Sequence, residues 1–357
     1  MMGAVRPNSA PMVQALTKPS RRKVPKWLLP VFGYAISIAS LIWVFAKFPY
    51  QQLGHDVRTL EWRWVLLSVV LNLAVYVSQA WKWQLILSPA EQPPLWRCVQ
   101  AVYVGLFASD VLPAHAGEII RCYLLTFWEE VPISLALTSA LIERILDGLV
   151  LVGAFFAVTA DMSNIPRLLG RSTSVLGICL LAISGLFLYV LFRKGHAHSV
   201  VSGHRWASKF VHLLDELHNL GDWRTLAAAL GVSVLYIVLQ ALSVWALLKA
   251  DGFDLSVRAA AVVIVIIRIG TLIPNAPANL GSYQFFCILA MKLLGVESNN
   301  AKIFSTILFW GLALPPLIGG AVAVGLTGLN LGDIHHHAHH AHKRRFDAVH
   351  AEAADQT

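Results

Sequence analysis

The chain has 357 residues, 57% of them hydrophobic and 13% charged, with a formal net charge of +8 and a mean hydropathy of +0.62. A soluble globular domain of that composition would lack the polar surface to cover itself, so bilayer is its natural solvent. Phosphate-binding glycine loops, Gly-x-Ser-x-Gly and zinc-protease patterns are absent, and no polar segment is long enough for a separate catalytic domain.

Residues 1–26 are polar, basic and Pro-containing, and read as a disordered tail. Apolar runs near 27–46, 64–81, 133–160, 173–192, 225–248 and 301–327 can each cross about 30 Å of hydrocarbon as helix, which predicts six full spans. The first run follows Arg21, Arg22, Lys23 and Lys26 but is too long for a secretory signal and has no small-residue cleavage site, so it reads as an uncleaved helix. Between the fourth and fifth runs, 196–221 has amphipathic spacing, with Trp206, Phe210 and Leu213 on one side and Lys209, Asp215 and Glu216 on the other. Residues 332–357 are His-rich and read as a second disordered tail; a solvated tail has no folded partners to fix a ligand set, so no metal site is expected. Cys98, Cys122, Cys179 and Cys287 lie in apolar segments without metal spacing, where a thiol behaves as a small hydrophobe.

Cations concentrate before the first span (Arg6, Lys18 and Arg21 to Lys26), in the 193–209 connection (Arg193, Lys194, Arg205, Lys209) and after the last span (Lys343, Arg344, Arg345). The positive-inside rule puts all three segments, and both termini, in the cytoplasm of an inner-membrane protein.

The chain also repeats itself. Glu61-Trp62-Arg63 and Asp222-Trp223-Arg224, Gln79 and Gln240, and Pro113 and Pro274 are pairs that all lie 161 residues apart. This divides a membrane domain over 27–331 into a first repeat of about 61–195, the linker 196–221 and a second repeat of about 222–331. Each copy carries an apolar stretch broken by Pro and Gly: Val99–Leu112 before Pro113 and Gly117, and Ala259–Ile273 before Pro274 and Gly281. Fourteen helical residues reach only about 21 Å, so each break predicts a re-entrant hairpin whose tip is buried in protein or lines a wet cavity. If the hairpins re-enter, each copy has an odd number of crossings, the repeat is inverted and the two tips meet near the midplane, as in secondary transporters; if they cross fully, the repeat relation changes. The expected fold is an all-α polytopic membrane protein of about six spans and two such hairpins.

Charges inside apolar segments cost about 2.5–3.5 kcal/mol each on the insertion scale, so each needs a partner or a task. Glu118 and Arg121 follow the first break, and Glu143, Arg144 and Asp147 sit inside the 133–160 run. Arg144 and Asp147, three apart, can pair on one helix face, which leaves Arg121 for Glu143. Arg121 and Arg144 are the better candidates for a lipid phosphate, because a guanidinium offers a fork of donors. Arg268 stands without an acid in its own segment, and Asn275, Asn279 and Gln284 surround the second tip with neutral hydrogen-bonding groups.

Leu112-Pro113-Ala114-His115-Ala116-Gly117-Glu118-Ile119-Ile120-Arg121, followed by Glu143-Arg144-Ile145-Leu146-Asp147-Gly148, resembles the LP-x3-GE-x2-R … ER-x2-DG pattern of the flippase-like membrane domain family. That family includes the transmembrane region of lysylphosphatidylglycerol synthases and stand-alone members associated with hopanoid or glycolipid metabolism. Ile273 to Gly281 is similar to its second Pro/Gly loop, with Ala278 where Gly is frequent and Gln284 where a Glu is common. The resemblance implies translocation of a phospholipid, glycolipid or isoprenoid- or hopanoid-type lipid, with membrane lipids as partners and lipid-synthesis enzymes as further candidates. Neither a cofactor nor nucleic acid is expected. An intramembrane transferase using Glu118 or Asp147 as base, and a non-catalytic scaffold for lipid-synthesis enzymes, are the competing readings.

Overall fold

In the computed structural model, residues 40–45, 48–111, 117–160, 223–272 and 277–327, with positions 174 and 178, are described. The predicted spans 27–46 and 173–192, the linker 196–221, both tails, Cys179, Pro113, Pro274 and Asn275 lie wholly or largely outside them. The described residues are helical: α1 (Tyr50–Thr59), α2 (Trp62–Leu87), α3 (Leu95–Val111), α4 (Gly117–Glu129), α5 (Ile133–Thr159), α6 (Trp223–Ala250), α7 (Val257–Gly270), a 3-10 turn (Pro277–Asn279), α8 (Ser282–Leu293) and α9 (Ser298–Thr327). An all-α membrane fold results. Helices α2, α6 and α9 are long and apolar enough to cross a bilayer. Helix α5 matches them in length, at 27 residues, and differs by carrying Glu143, Arg144 and Asp147.

The order long, short, short, long occurs twice: α2 to α5, then α6 to α9. Helices α2 and α6 start 161 residues apart and run antiparallel against each other. At one end the Glu61 N–H donates to the Ala250 carbonyl (3.1 Å); further along, the Ser68 and Ser243 hydroxyls each donate to the other's backbone carbonyl (2.9 and 3.0 Å). Packing between the halves is reciprocal, with α3 on α9 and α7 on α5. Single residues obey the same relation: Asn72 on α2 reaches the Leu312 carbonyl on α9 (2.8 Å), while Ser233, its counterpart 161 residues on, reaches Asp147 on α5 (3.0 Å). A two-fold axis that exchanges antiparallel spanning helices lies in the membrane plane, which is the geometry of an inverted repeat.

Each short pair is a hairpin. Arg97 near the start of α3 meets Glu129 at the end of α4 (3.1 Å), while Gly105 and Gly117 touch nearer the tip. A Cβ on Gly117 would collide with the Gly105 carbonyl and the Ser109 hydroxyl, so this close approach requires glycine. In the second half α8 folds back along α7, with the Phe286 ring against Gly270. At 17, 13, 14 and 12 residues these helices reach about 26, 20, 21 and 18 Å, short of the hydrocarbon thickness. The 3-10 turn at the second tip packs against α3, which brings the two hairpins together inside the bundle.

Helix α7 packs against α5, α6 and α8, and ten of its fourteen residues are buried, among them Val262 to Ile267. This explains why the stretch between Arg258 and Arg268 is apolar all round. A second cluster joins α2, α3, α4 and α5 around Trp83, Leu124 and Leu125. On the outside Leu66, Val70, Val234, Val238, Ile318 and Val322 are exposed, an apolar perimeter suited to lipid.

Candidate functional site

The first half holds a balanced cluster of charges. Glu143, fully buried on α5, accepts from Arg121 (2.8 Å) and from the Gln79 amide (3.0 Å), and Lys82 Nζ lies 3.7 Å away. Lys82, also fully buried, donates to Asp147, which accepts from Ser233 of the second half as well. Arg144 pairs with Glu118 at 2.6 Å, each side chain 44% exposed. Three acids, Glu118, Glu143 and Asp147, are thus matched by three bases, Lys82, Arg121 and Arg144. The expected Arg121–Glu143 pair forms. The expected Arg144–Asp147 pair does not, because Lys82 from α2 occupies Asp147 and the hairpin residue Glu118 takes Arg144.

Lys82 is the member of this cluster that sequence reasoning missed. The second apolar run was bounded at 81, but α2 runs on to Leu87 and Trp83 is buried, donating Nε1–H to Ser139 Oγ (2.8 Å). The legible signal was the apolar Leu85-Ile86-Leu87 after Lys82, which places the lysine within the helix, three residues from Gln79. Trp62 and Trp223 do sit exposed at helix starts, as belt residues should. Arg121 is 3% exposed; its Nε and Nη1 have no hydrogen-bond acceptor, and its guanidinium lies over the Trp83 ring at 4.8 Å. That ring contact partly stands in for the missing acceptors.

A different environment lies between the halves. A cavity of about 140 Å³ is walled by α2, α3, α6, α7, α8, α9 and the second hairpin tip, with Tyr76, Asp110, Gln240, Arg268, Asn279 and Tyr283 among its polar groups, beside Asn72, Ser243 and Thr271. Arg268 donates through Nε to Gln240 Oε1 (3.2 Å) and through Nη2 to the Tyr236 hydroxyl (2.7 Å). Both acceptors are neutral, and among the described residues no carboxylate is within ion-pair distance of Arg268. Arg121 and Arg144 do not line this cavity. Tyr236 joins the two regions, because Lys82 Nζ stands 5.0 Å and Arg268 Cζ 5.6 Å from its ring centre.

The second tip is held in an unusual backbone. Ala278 (φ 55°), Asn279 (φ 54°) and Gly281 (φ 85°) all adopt left-handed angles. Ala278 therefore stands where glycine would be less strained. Gln284 turns away from ligand chemistry: its Oε1 accepts from the Gly281 N–H (2.7 Å) and caps α8. Asn279 Oδ1 and the Tyr283 hydroxyl are buried without a hydrogen-bond partner, and both residues line the cavity. Asp110, Tyr76, Tyr236 and Tyr283 were not singled out by sequence. Asp110 was findable as a charge inside the Val99–Leu112 run; the tyrosines carry no such mark.

A UPF0104 membrane protein of Methanocaldococcus jannaschii is 22% identical over 288 residues, covering 74% of this chain and 85% of that protein. The family model described as the lysylphosphatidylglycerol synthase TM region matches residues 31–322, nearly all of the membrane part. The chain belongs to this family of multi-pass membrane proteins, which is tied to lipid biosynthesis or translocation.

Proposed function

We propose that the protein moves a phospholipid, glycolipid or isoprenoid- or hopanoid-type lipid between the leaflets of the inner membrane, with both termini in the cytoplasm. The head group passes through the cavity between the two halves while the tails stay in lipid. The observation that carries this reading is Arg268, a guanidinium at membrane depth in a cavity, held by neutral partners alone. A buried cation whose direct hydrogen-bond partners are all neutral costs several kcal/mol, and an entering phosphate offsets that cost while losing its own hydration. Arg121 and Arg144, the better candidates on sequence, are each matched to a carboxylate, so a phosphate at either would have to displace an existing anion. Antiparallel halves joined by reciprocal contacts support alternation by one half rocking on the other. Lipid-synthesis enzymes are the natural suppliers of such a substrate.

The test is lipid scrambling in vesicles reconstituted with the full-length protein. Wild type accelerates it over empty vesicles, and Arg268→Gln returns it to the protein-free rate with the fold retained. A fully active, folded Arg268→Gln variant would refute the site, and a chemically altered lipid recovered from the vesicles would favour the transferase reading instead.

A further inference from the structure

Taking lipid translocation as given, we infer that the cavity selects phosphodiester head groups that carry a hydrogen-bond donor beyond the phosphate, a hydroxyl or an ammonium, and rejects those that carry none. Donors and acceptors on its walls are not balanced. Arg268 supplies one positive charge and a fork of N–H groups, which matches one phosphodiester monoanion. Those donors leave other wall atoms unserved. Asn279 Oδ1 is buried with no partner, and an amide carbonyl can only accept. Asp110 adds a carboxylate to the same walls. A phosphodiester consists of acceptors alone, so it answers Arg268 and leaves Asn279 and Asp110 unanswered.

A donor on the next few atoms of the head group removes that deficit. The Tyr283 hydroxyl, also buried and unpartnered, can donate to the phosphate or accept from the same arm. A dianionic phosphate monoester fits less well, because its second charge would face Asp110 with only Arg268 to balance it. Volume sets the length of the arm. A cavity of about 150 Å³ holds one benzene-sized guest, so about 140 Å³ takes a phosphate with a two- or three-carbon substituent, and a larger head group would extend out through the open side.

The experiment measures scrambling of acyl-labelled lipids whose head groups are native: ethanolamine, glycerol, choline and the bare phosphate monoester, each in trace amounts in vesicles carrying the full-length protein. Ethanolamine and glycerol lipids should move at least about fivefold faster than choline and monoester lipids, the lower end of what one unanswered buried acceptor is worth. Asn279→Gly, which removes the amide and keeps the left-handed backbone, should bring choline to within about threefold of ethanolamine. Tyr283→Phe, which deletes only an unpartnered hydroxyl, should narrow the gap with the thermal midpoint unchanged or raised. A lead of ethanolamine over glycerol would assign the donor as an ammonium facing Asp110; equal rates would assign a hydroxyl or ammonium alike. Equal rates for choline and ethanolamine in wild type, or discrimination that survives both substitutions, would overturn the selectivity while leaving translocation intact. If no lipid moves faster than in empty vesicles, translocation itself fails.

Discussion

The two hairpin regions share one scaffold and use charge in opposite ways. Around the first hairpin six charged side chains close on one another, and around the second a single guanidinium is held by an amide and a phenol. Equivalent positions on α2 and α6 record the divergence: Gln79 donates to Glu143 where Gln240 accepts from Arg268, and Lys82 answers to Ser243 at the same 161-residue offset. A network whose charges cancel is satisfied without a ligand, so its natural role is to lock hairpin to helix. An arginine with neutral partners keeps its electrostatic demand for an incoming anion. The repeat accounts for the shared frame, and the two copies differ in the charges they place on it.

That contrast breaks first if the cluster is not structural. Lys82→Met leaves Glu143 and Asp147 short of a buried cation and should destabilise the protein by about 3–5 kcal/mol. Chemical unfolding in detergent or lipid nanodiscs would register this, and a loss below about 1 kcal/mol would show that the cluster does not hold the fold. Gly117→Ala drives a methyl into the Gly105 carbonyl and should cost about 1–3 kcal/mol through backbone displacement, read as a lower thermal midpoint. Ala278→Gly works the other way at the second tip. It relieves a left-handed alanine and should be neutral or stabilising by up to about 1 kcal/mol, whereas the same change inside a helix would destabilise.

Asp251, in the turn that follows α6, adds a test by pH. Burial, with the Asp56 charge nearby, pushes the Asp251 carboxyl up from its ordinary value to about 7. Its folded value lies above the unfolded one, so its contribution to stability is full below the unfolded value and is lost as pH rises towards 7. Unfolding midpoints should therefore fall between pH 4 and pH 8 by more in wild type than in Asp251→Asn; equal slopes would show that Asp251 does not couple to folding.

Much of this frame was legible in the sequence. The 161-residue offset, the Pro/Gly breaks and the short apolar flanks foretold paired hairpins, because chain length against bilayer thickness is a hard constraint. The Arg121–Glu143 pair was legible as an acid and a base that share no helix. What escaped notice depends on tertiary approach: Lys82 comes from a helix end misjudged by six residues, and the tyrosines around Arg268 look like any core aromatic until helices from both halves converge on them. Gln284 shows the reverse error, since its polar side chain at the tip is consumed by capping.

A balanced cluster and a lone arginine divide the labour, and a paired measurement of scrambling rate per folded protein tests that division. Arg268→Gln should lose scrambling while keeping a thermal midpoint close to wild type, and the double variant Glu118→Gln with Arg144→Gln, which removes a pair without stranding either charge, should keep most of the rate. The opposite outcome, with Arg268→Gln active and the double variant silent yet folded, would move the lipid phosphate to the first hairpin and contradict the account.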